Sequence, residues 1–258
     1  MKMWRNIFIL AANGFQEVIR HRFFYGLVLV AVLILSVGAI LGPLSMSEEK
    51  RITVNFSLFA AQIVLIAASI FFGSLSITRD MEKKIITTLI TRPISRAQYI
   101  LGKFFGMAFI MIVAVILLGF ILSGIFYYFQ IPIQSVFFKS LWGIYLEALV
   151  LLSISILFSS FTSNFLIICY TVCFFIIGHW IDTMKTLLQK TEEPFLRFIS
   201  EYGVLVFPNL ERFNWRPHVV YQDLVPFTEV MFYSFYAVSW VILFLVIAIQ
   251  IFNRKDFV

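Results

Sequence analysis

One string of residues has the types and spacing of a hydrolytic site. Glu192-Glu193-Pro194-Phe195-Leu196-Arg197 fits the pattern Glu-Glu-x-x-x-Arg, in which a glutamate can activate water for hydrolysis inside a membrane. Such chemistry needs further His residues on neighbouring membrane helices, and only His218 follows, in the same polar stretch. We therefore expect a solvated loop face here, and an intramembrane hydrolase or protease using Glu192 and Glu193 remains the alternative.

Two other groups of residues resemble metal ligands, but packing explains them better. Cys169 and Cys173 lie one helical turn apart in an apolar run, which predicts small buried thiols rather than a soft-metal pair. His179 stands beside Trp180 and close to Asp182 near the end of an apolar run, which is typical of an anchor at the lipid headgroups. The sequence predicts no metal site.

Glu147 is an acidic residue well inside a long apolar run. A carboxylate within a membrane is a functional candidate by default, because leaving it unpaired is costly. Trp142 and Tyr145, however, resemble an aromatic belt that would place Glu147 just beneath the headgroups. We expect a structural contact at a helix or dimer interface, with a place in a substrate path as the other interpretation.

The composition identifies the elements that must position these residues as membrane helices. Hydrophobic residues make up 61% of the 258 residues and charged residues 13%, and the mean hydropathy is +0.95. A soluble domain of this size carries about 25% charged residues. The net charge of +6 lies at the ends of apolar runs rather than in a patch, so nucleic acid is not an expected partner.

The apolar runs predict an all-α integral membrane protein forming a single transmembrane domain over residues 1–258. A membrane-spanning helix needs about 20 apolar residues. Six segments satisfy this requirement: 23–43, 57–78, 104–128, 140–158, 165–181 and 231–253.

The positive charges predict the orientation of these spans. With a cytoplasmic N-terminus, 12 of the 20 Lys and Arg residues fall inside, where the net charge is +8, and the outside segments carry −1. Excess Lys and Arg in the cytoplasmic loops is the usual pattern. We therefore expect a multi-pass protein of the cell inner membrane with both termini in the cytoplasm.

Two segments outside the spans have recognisable character. Residues 1–22 place apolar side chains on one arc of a helical wheel, which predicts an amphipathic helix at the membrane surface. Residues 182–230 form a predicted extracytoplasmic loop of 49 residues. A connection this long is usually functional, as a lid or as a docking surface for an accessory protein.

The cytoplasmic segment 79–103 carries the strongest functional signal. A short helix is predicted from Glu82 to Thr91, ended by Pro93, and Ser95 can cap a second helix that continues into the third span. The short helix has an apolar stripe with charges of both signs beside it. Such a helix fits a groove on a cytoplasmic partner, although resting on lipid headgroups would suit it equally well.

The run Asp80 to Lys103, DMEKKIITTLITRPISRAQYILGK, resembles the coupling region of ABC-type permeases of the second export class. The resemblance is closest to the branch that contains the permease of the nitrous-oxide-reductase maturation transporter. It extends over nearly the whole chain and includes the Phe207-Pro208-Asn209-Leu210 turn and the basic C-terminus. Ile85-Ile86 departs from the Gly-Thr that many relatives have there.

The resemblance implies a permease that pairs as a homodimer or with a similar permease, and whose short helix binds a groove of a cytoplasmic ABC ATPase. The chain has no GxxxxGK[ST] phosphate loop, so the resemblance places ATP and Mg on the partner and implies no cofactor in this chain. A secondary transporter is a further alternative. The residues expected to couple to the ATPase are Asp80, Glu82, Lys83, Ile85, Ile86, Leu89, Ile90, Arg92, Pro93 and Arg96.

Overall fold

The computed structural model describes residues 48–82, 95–188 and 207–254, together with residues 9–12, 14, 16, 26, 32–33 and 36. Its helices are α1 (Glu49–Glu82), α2 (Arg96–Tyr128), α3 (Ser135–Ser159), α4 (Asn164–Leu188), α5 (Arg216–Tyr221) and α6 (Phe227–Arg254), with a 3₁₀ turn at Glu211–Phe213. No strand occurs in the part of the chain that is described. The all-α prediction is therefore confirmed for these residues.

Five of the described helices are long and apolar enough to cross a membrane, namely α1, α2, α3, α4 and α6. The protein is a multi-pass membrane protein. The predicted first span, 23–43, and the predicted surface helix, 1–22, lie almost wholly outside the described residues, so both stay predictions. The few described residues in these two segments are helical.

The helices are longer than the apolar runs that predict them. Helix α1 begins at Glu49 rather than at residue 57, and α4 continues to Leu188, beyond the start of the predicted loop 182–230. Residues 182–188 contain neither Gly nor Pro, so nothing ends the helix where the apolar run ends. The boundary between the fourth and fifth spans agrees with the prediction, because α3 ends at Ser159 and α4 begins at Asn164.

Helix α3 lies at the centre of the bundle, in contact with α1, α2, α4 and α6. The most apolar 18-residue stretch of α3 is 83% buried, whereas the corresponding stretches of α6 and α4 are 33% and 22% buried. Helices α2 and α6 expose large apolar side chains such as Phe120 and Phe235, as expected of helices that face lipid. A polar side chain on α3 is therefore shielded from lipid on most sides.

Residues 207–215, which we call the loop-end turn, pack onto one end of the bundle. Leu210 N donates to Gly178 O at 3.0 Å, and a Cβ at Gly178 would lie 2.6 Å from Leu210 Cγ. A Cβ at Gly143 of α3 would collide with the carbonyl oxygen of Phe213. Two glycines thus allow the turn to approach α3 and α4 closely, and this approach positions Glu211.

Candidate functional site

At the opposite end of the bundle, a buried ion pair joins α1 to α2. Lys103 Nζ lies 3.0 Å from Asp80 Oδ2, and each side chain is 8% exposed. Tyr99 donates a hydrogen bond from its hydroxyl to the same oxygen at 2.6 Å, and its ring stacks on Phe252 of α6 at 5.8 Å. We call Asp80, Tyr99 and Lys103 the Lys103 cluster.

The beginning of α2 is also tied to the end of α6. Ser95 caps α2 by accepting from Gln98 N, and the Gln98 side chain accepts from Ser95 N, which completes a capping box. Arg96 Nη1 donates to the carbonyls of Phe252 and Asn253, each at 2.9 Å. The last carbonyls of a helix lack partners within the helix, so the guanidinium satisfies two of them and complements the negative end of the helix dipole.

The structure places three of the ten predicted coupling residues. Asp80 and Arg96 make the internal contacts just described. Glu82 is the last described residue of α1, and the short helix predicted from Glu82 to Thr91 lies otherwise outside the described residues. The other seven (Lys83, Ile85, Ile86, Leu89, Ile90, Arg92 and Pro93) fall in residues 83–94, outside the described part. Their contact with an ATPase stays a prediction.

A second polar arrangement, which we call the His179 network, lies at the loop end. Glu147 of α3 is fully buried. It accepts from Gln62 Nε2 of α1 at 2.6 Å and lies 2.7 Å from His179 Nε2 of α4. The other ring nitrogen, Nδ1, lies 2.7 Å from Glu211 Oε2. One imidazole therefore joins a buried carboxylate to a carboxylate of the loop-end turn.

Glu211 is embedded in further hydrogen bonds. Its Oε1 accepts from Asn214 Nδ2 at 2.7 Å, and its backbone N–H donates to Asn209 Oδ1 at 3.1 Å. Burial alone would raise the pKa of Glu211, but hydrogen bonds from His179 and Asn214 and the charges of His179 and Arg216 lower it below 4.5. Glu211 is accordingly stabilised as a carboxylate.

Arg216 supplies positive charge beside the network. Its Nε donates to Asn214 Oδ1 at 2.9 Å, and its guanidinium lies over the Phe59 ring at 5.1 Å. Burial lowers the pKa of Arg216, and the carboxylates of Glu147 and Glu211 oppose that effect. A buried carboxylate needs such compensation, since an isolated charge in a low-dielectric medium is very costly.

The His179 network is not arranged as a metal site. Both ring nitrogens of His179 are occupied by carboxylates, and within the described residues no group of three or more His, Cys, Asp or Glu side chains is suited to hold a metal ion.

The prediction of two buried thiols is wrong for Cys173, which is exposed, while Cys169 is half-buried. The reason is that α4 lies at the periphery of the bundle.

Glu147 is identifiable as a candidate from the sequence, whereas its partner His179 is predicted only as a headgroup anchor. In the structure the His179 imidazole bridges two carboxylates. A signal was present: Glu147 precedes Ser160 by 13 residues and His179 follows Ser163 by 16, which places the two within one turn of the same height on antiparallel neighbours. Glu192 and Glu193 lie outside the described residues, and the hydrolase alternative stays a prediction.

The comparisons with known proteins agree with the membrane architecture. No curated protein matches the chain. The model of the ABC-2 family transporter protein family matches residues 8–257. Because that match covers nearly the whole chain, the protein belongs to the ABC-2 transporter family, whose members are the membrane-spanning permease subunits of ABC transporters and pair with a cytoplasmic ABC ATPase.

Proposed function

We propose that the protein is the permease subunit of an ABC exporter of the inner membrane, with both termini in the cytoplasm, driven by a separate ATPase that binds segment 79–103. The permease works as a homodimer or with a similar permease, and ATP and Mg belong to the ATPase. The proposal also relates the protein to the branch of the family that contains the permease of the nitrous-oxide-reductase maturation transporter.

One observation supports the proposal most directly: residues 83–94 are bounded on both sides by contacts that join three spanning helices. The Lys103 cluster links the end of α1 to α2, and Arg96 links the start of α2 to the end of α6. A displacement of the coupling segment would therefore move α1, α2 and α6 together rather than bending one helix end.

The buried pair gives this linkage the stiffness that force transmission needs. Removing one partner of a buried pair leaves an uncompensated charge, at a cost of about 3–5 kcal/mol, so the pair is not easily separated. An apolar stripe on the segment (Ile85, Ile86, Leu89, Ile90) would bind the ATPase groove, while Glu82, Lys83 and Arg92 would fix its register.

The described surface favours an apolar or amphipathic substrate. A groove of about 500 Å³ runs between α2, α3 and α6, and its lining is almost entirely apolar, from Leu101 to Leu245. A second groove of about 430 Å³ lies toward the loop end and has Ile112 and Tyr145 in common with the first. Residues 182–230 would serve as the docking surface for an extracytoplasmic accessory protein.

The test is to co-purify the permease with its ATPase and to measure ATP hydrolysis in lipid. L89E should abolish co-purification, because it places a charge on the predicted apolar stripe. K103M should retain binding but lose the effect of the permease on ATPase rate, because it breaks the linkage behind the stripe. K185A, a change of an exposed lysine at the loop end, is the control. Normal binding and normal rates in L89E would refute the coupling assignment.

A further inference from the structure

The His179 network forms a graded path from the loop end to the interior. The side chain of Glu211 is 42% exposed, that of His179 15%, and that of Glu147 only 1%. The three groups are joined by two N···O contacts of 2.7 Å. A proton that arrives at Glu211 from water is thus two hydrogen bonds from a carboxylate that water does not reach directly.

Each of the two contacts needs one proton to be a hydrogen bond. An imidazolium can donate to both carboxylates, or a neutral imidazole can donate from Nδ1 to Glu211 and accept at Nε2 from a protonated Glu147. Both arrangements hold the same number of protons and the same net charge. The proton between His179 and Glu147 can therefore change sides without any movement of heavy atoms.

Gln62 accommodates both states of Glu147. One amide atom of Gln62 lies 2.6 Å from Glu147 Oε2, whereas the other, Oε1, is buried with no hydrogen-bond partner among the described residues. The proton that passes from His179 arrives at Glu147 Oε1, so Oε2 accepts from Gln62 Nε2 both when Glu147 is a carboxylate and when it is a carboxylic acid.

The surrounding charges balance the network in its ionised form. Two carboxylates face one imidazolium and the Arg216 guanidinium, so the net charge is zero when His179 is protonated. Charged or titratable groups on the packed elements are otherwise engaged: Asp182 accepts from Asn209, Arg212 lies over the Tyr236 ring, and Tyr236 accepts from Asn209 N. His218 Nδ1 on α5 is buried without a partner in the described chain.

We propose that Glu147 is an exchangeable proton-binding site inside the membrane domain, reached from the loop end through Glu211 and His179. A proton from water adds to Glu211, and the Nε2 proton of His179 passes to Glu147. One proton enters and one reaches the interior carboxylate. Both carboxylates are then neutral acids and the imidazole is neutral, with its remaining proton on Nδ1.

This transfer alters the attachment of the loop-end turn. In the ionised state His179 binds Glu211 by a charge-assisted hydrogen bond, which is about twice as strong as a neutral one. After proton uptake the same contact joins neutral partners. Proton uptake therefore weakens the connection between the loop-end turn and α4, so occupancy of the interior site is linked to the position of the extracytoplasmic face.

The test is infrared difference spectroscopy of the protein in lipid, between about pH 9 and about pH 2. The carbonyl band of a protonated carboxylic acid should appear as pH falls, and E147Q should remove one component of it. H179Q and E211Q should shift or remove the same component, whereas E49Q, an exposed change at the start of α1, should not.

If E147Q leaves the spectrum unchanged, the site does not exist. If E147Q removes the component but H179Q and E211Q leave it intact, the route is wrong.

A second measurement keeps the proposal testable if E147Q fails to fold. The chain has 3 His residues, so H21Q/H218Q leaves His179 as the single imidazole for nitrogen NMR in lipid. Its Nε2 resonance should change over the same pH range as the carboxylic-acid band of the wild-type protein. A resonance that stays constant while that band grows would overturn the proposal, because Glu147 would then not be exchanging a proton with His179.

Discussion

Lys103 Nζ lies 3.0 Å from Asp80 Oδ2, and the pair joins the end of α1 to the beginning of α2 at the base of the segment proposed to bind the ATPase. Tyr99 donates to the same carboxylate oxygen and stacks on Phe252 of α6. Helices α1 and α2 thus meet at this carboxylate, and α6 packs against Tyr99. The pair contributes to the rigidity of this end and, in the proposed function, to transmission of movement from the ATPase.

The first prediction concerns the stability that this pair provides. K103M removes the ammonium but keeps the length of the side chain, so Asp80 becomes a buried charge with only Tyr99 as a described partner. We expect a loss of about 3–5 kcal/mol in unfolding free energy. The loss should appear in thermal or denaturant unfolding of the purified protein in detergent.

The double variant separates this electrostatic effect from lost packing. D80N/K103M removes both charges and should be more stable than K103M alone. K185M, at an exposed position of α4, should stay within about 0.5 kcal/mol of wild type. If D80N/K103M lost as much as the sum of the single variants, the two residues would not be coupled.

The spanning helices could be predicted from sequence because lipid requires long runs without charge, and such runs are visible in the chain. The ends of these helices could not be predicted. Polar residues beyond the hydrocarbon region can either continue a helix, as Asp182 and Lys185 do, or form a loop. The Glu147–His179 contact was derivable from the register of a helical hairpin. The contact of His179 with Glu211 could not be derived from the sequence, because it depends on the loop-end turn packing directly against Gly143 and Gly178.

The second prediction concerns that approach. G143A places a methyl group against the carbonyl oxygen of Phe213 and 3.0 Å from the Trp215 ring, so the loop-end turn must move away from α3. Overpacking of this kind costs about 1–3 kcal/mol. Increased exposure of Trp215, which is 2% exposed in the structure, should be measurable by quenching of tryptophan fluorescence.

Gly124 provides a matched control on α2. A Cβ at that position meets nothing within 4 Å, so G124A should be neutral or slightly stabilising, because alanine favours helix over glycine by about 1 kcal/mol. Equal effects of G143A and G124A would mean that the turn does not pack against Gly143 as the structure has it.

The third prediction is a pH dependence centred on Glu211. The pKa of Glu211 in the folded protein is lowered below 4.5. Its contribution to stability is therefore complete above its ordinary pKa and is lost as pH falls through the lower, folded value. Limited proteolysis of the loop-end turn should accelerate in that acidic window with a stable, acid-tolerant protease.

The E211Q variant identifies the group responsible. The amide cannot ionise, so the turn should already be weakly attached at neutral pH, and the difference between neutral and acidic cleavage rates should shrink. D223N alters an exposed carboxyl near the C-terminal end of α5 and should retain the wild-type pH profile. A profile in E211Q that matched the wild type would assign the acid effect to another group.

The last prediction concerns Arg96, which joins α2 to the end of α6. Its guanidinium donates to two carbonyls, of Phe252 and Asn253, each at 2.9 Å. R96K preserves the charge but replaces the planar guanidinium by a more compact ammonium, so at most one of these contacts is expected to survive. R96A removes both. We expect graded losses of unfolding free energy, with R96A costing about 1.5–3 kcal/mol and R96K less, in line with hydrogen bonds to charged groups.

Increased mobility of a spin label at residue 254 should follow the same order. If mobility at residue 254 were unchanged in R96A, α6 would not be joined to α2 through this residue, and movement of the coupling segment would have to reach α6 by the stacking of Tyr99 on Phe252 instead.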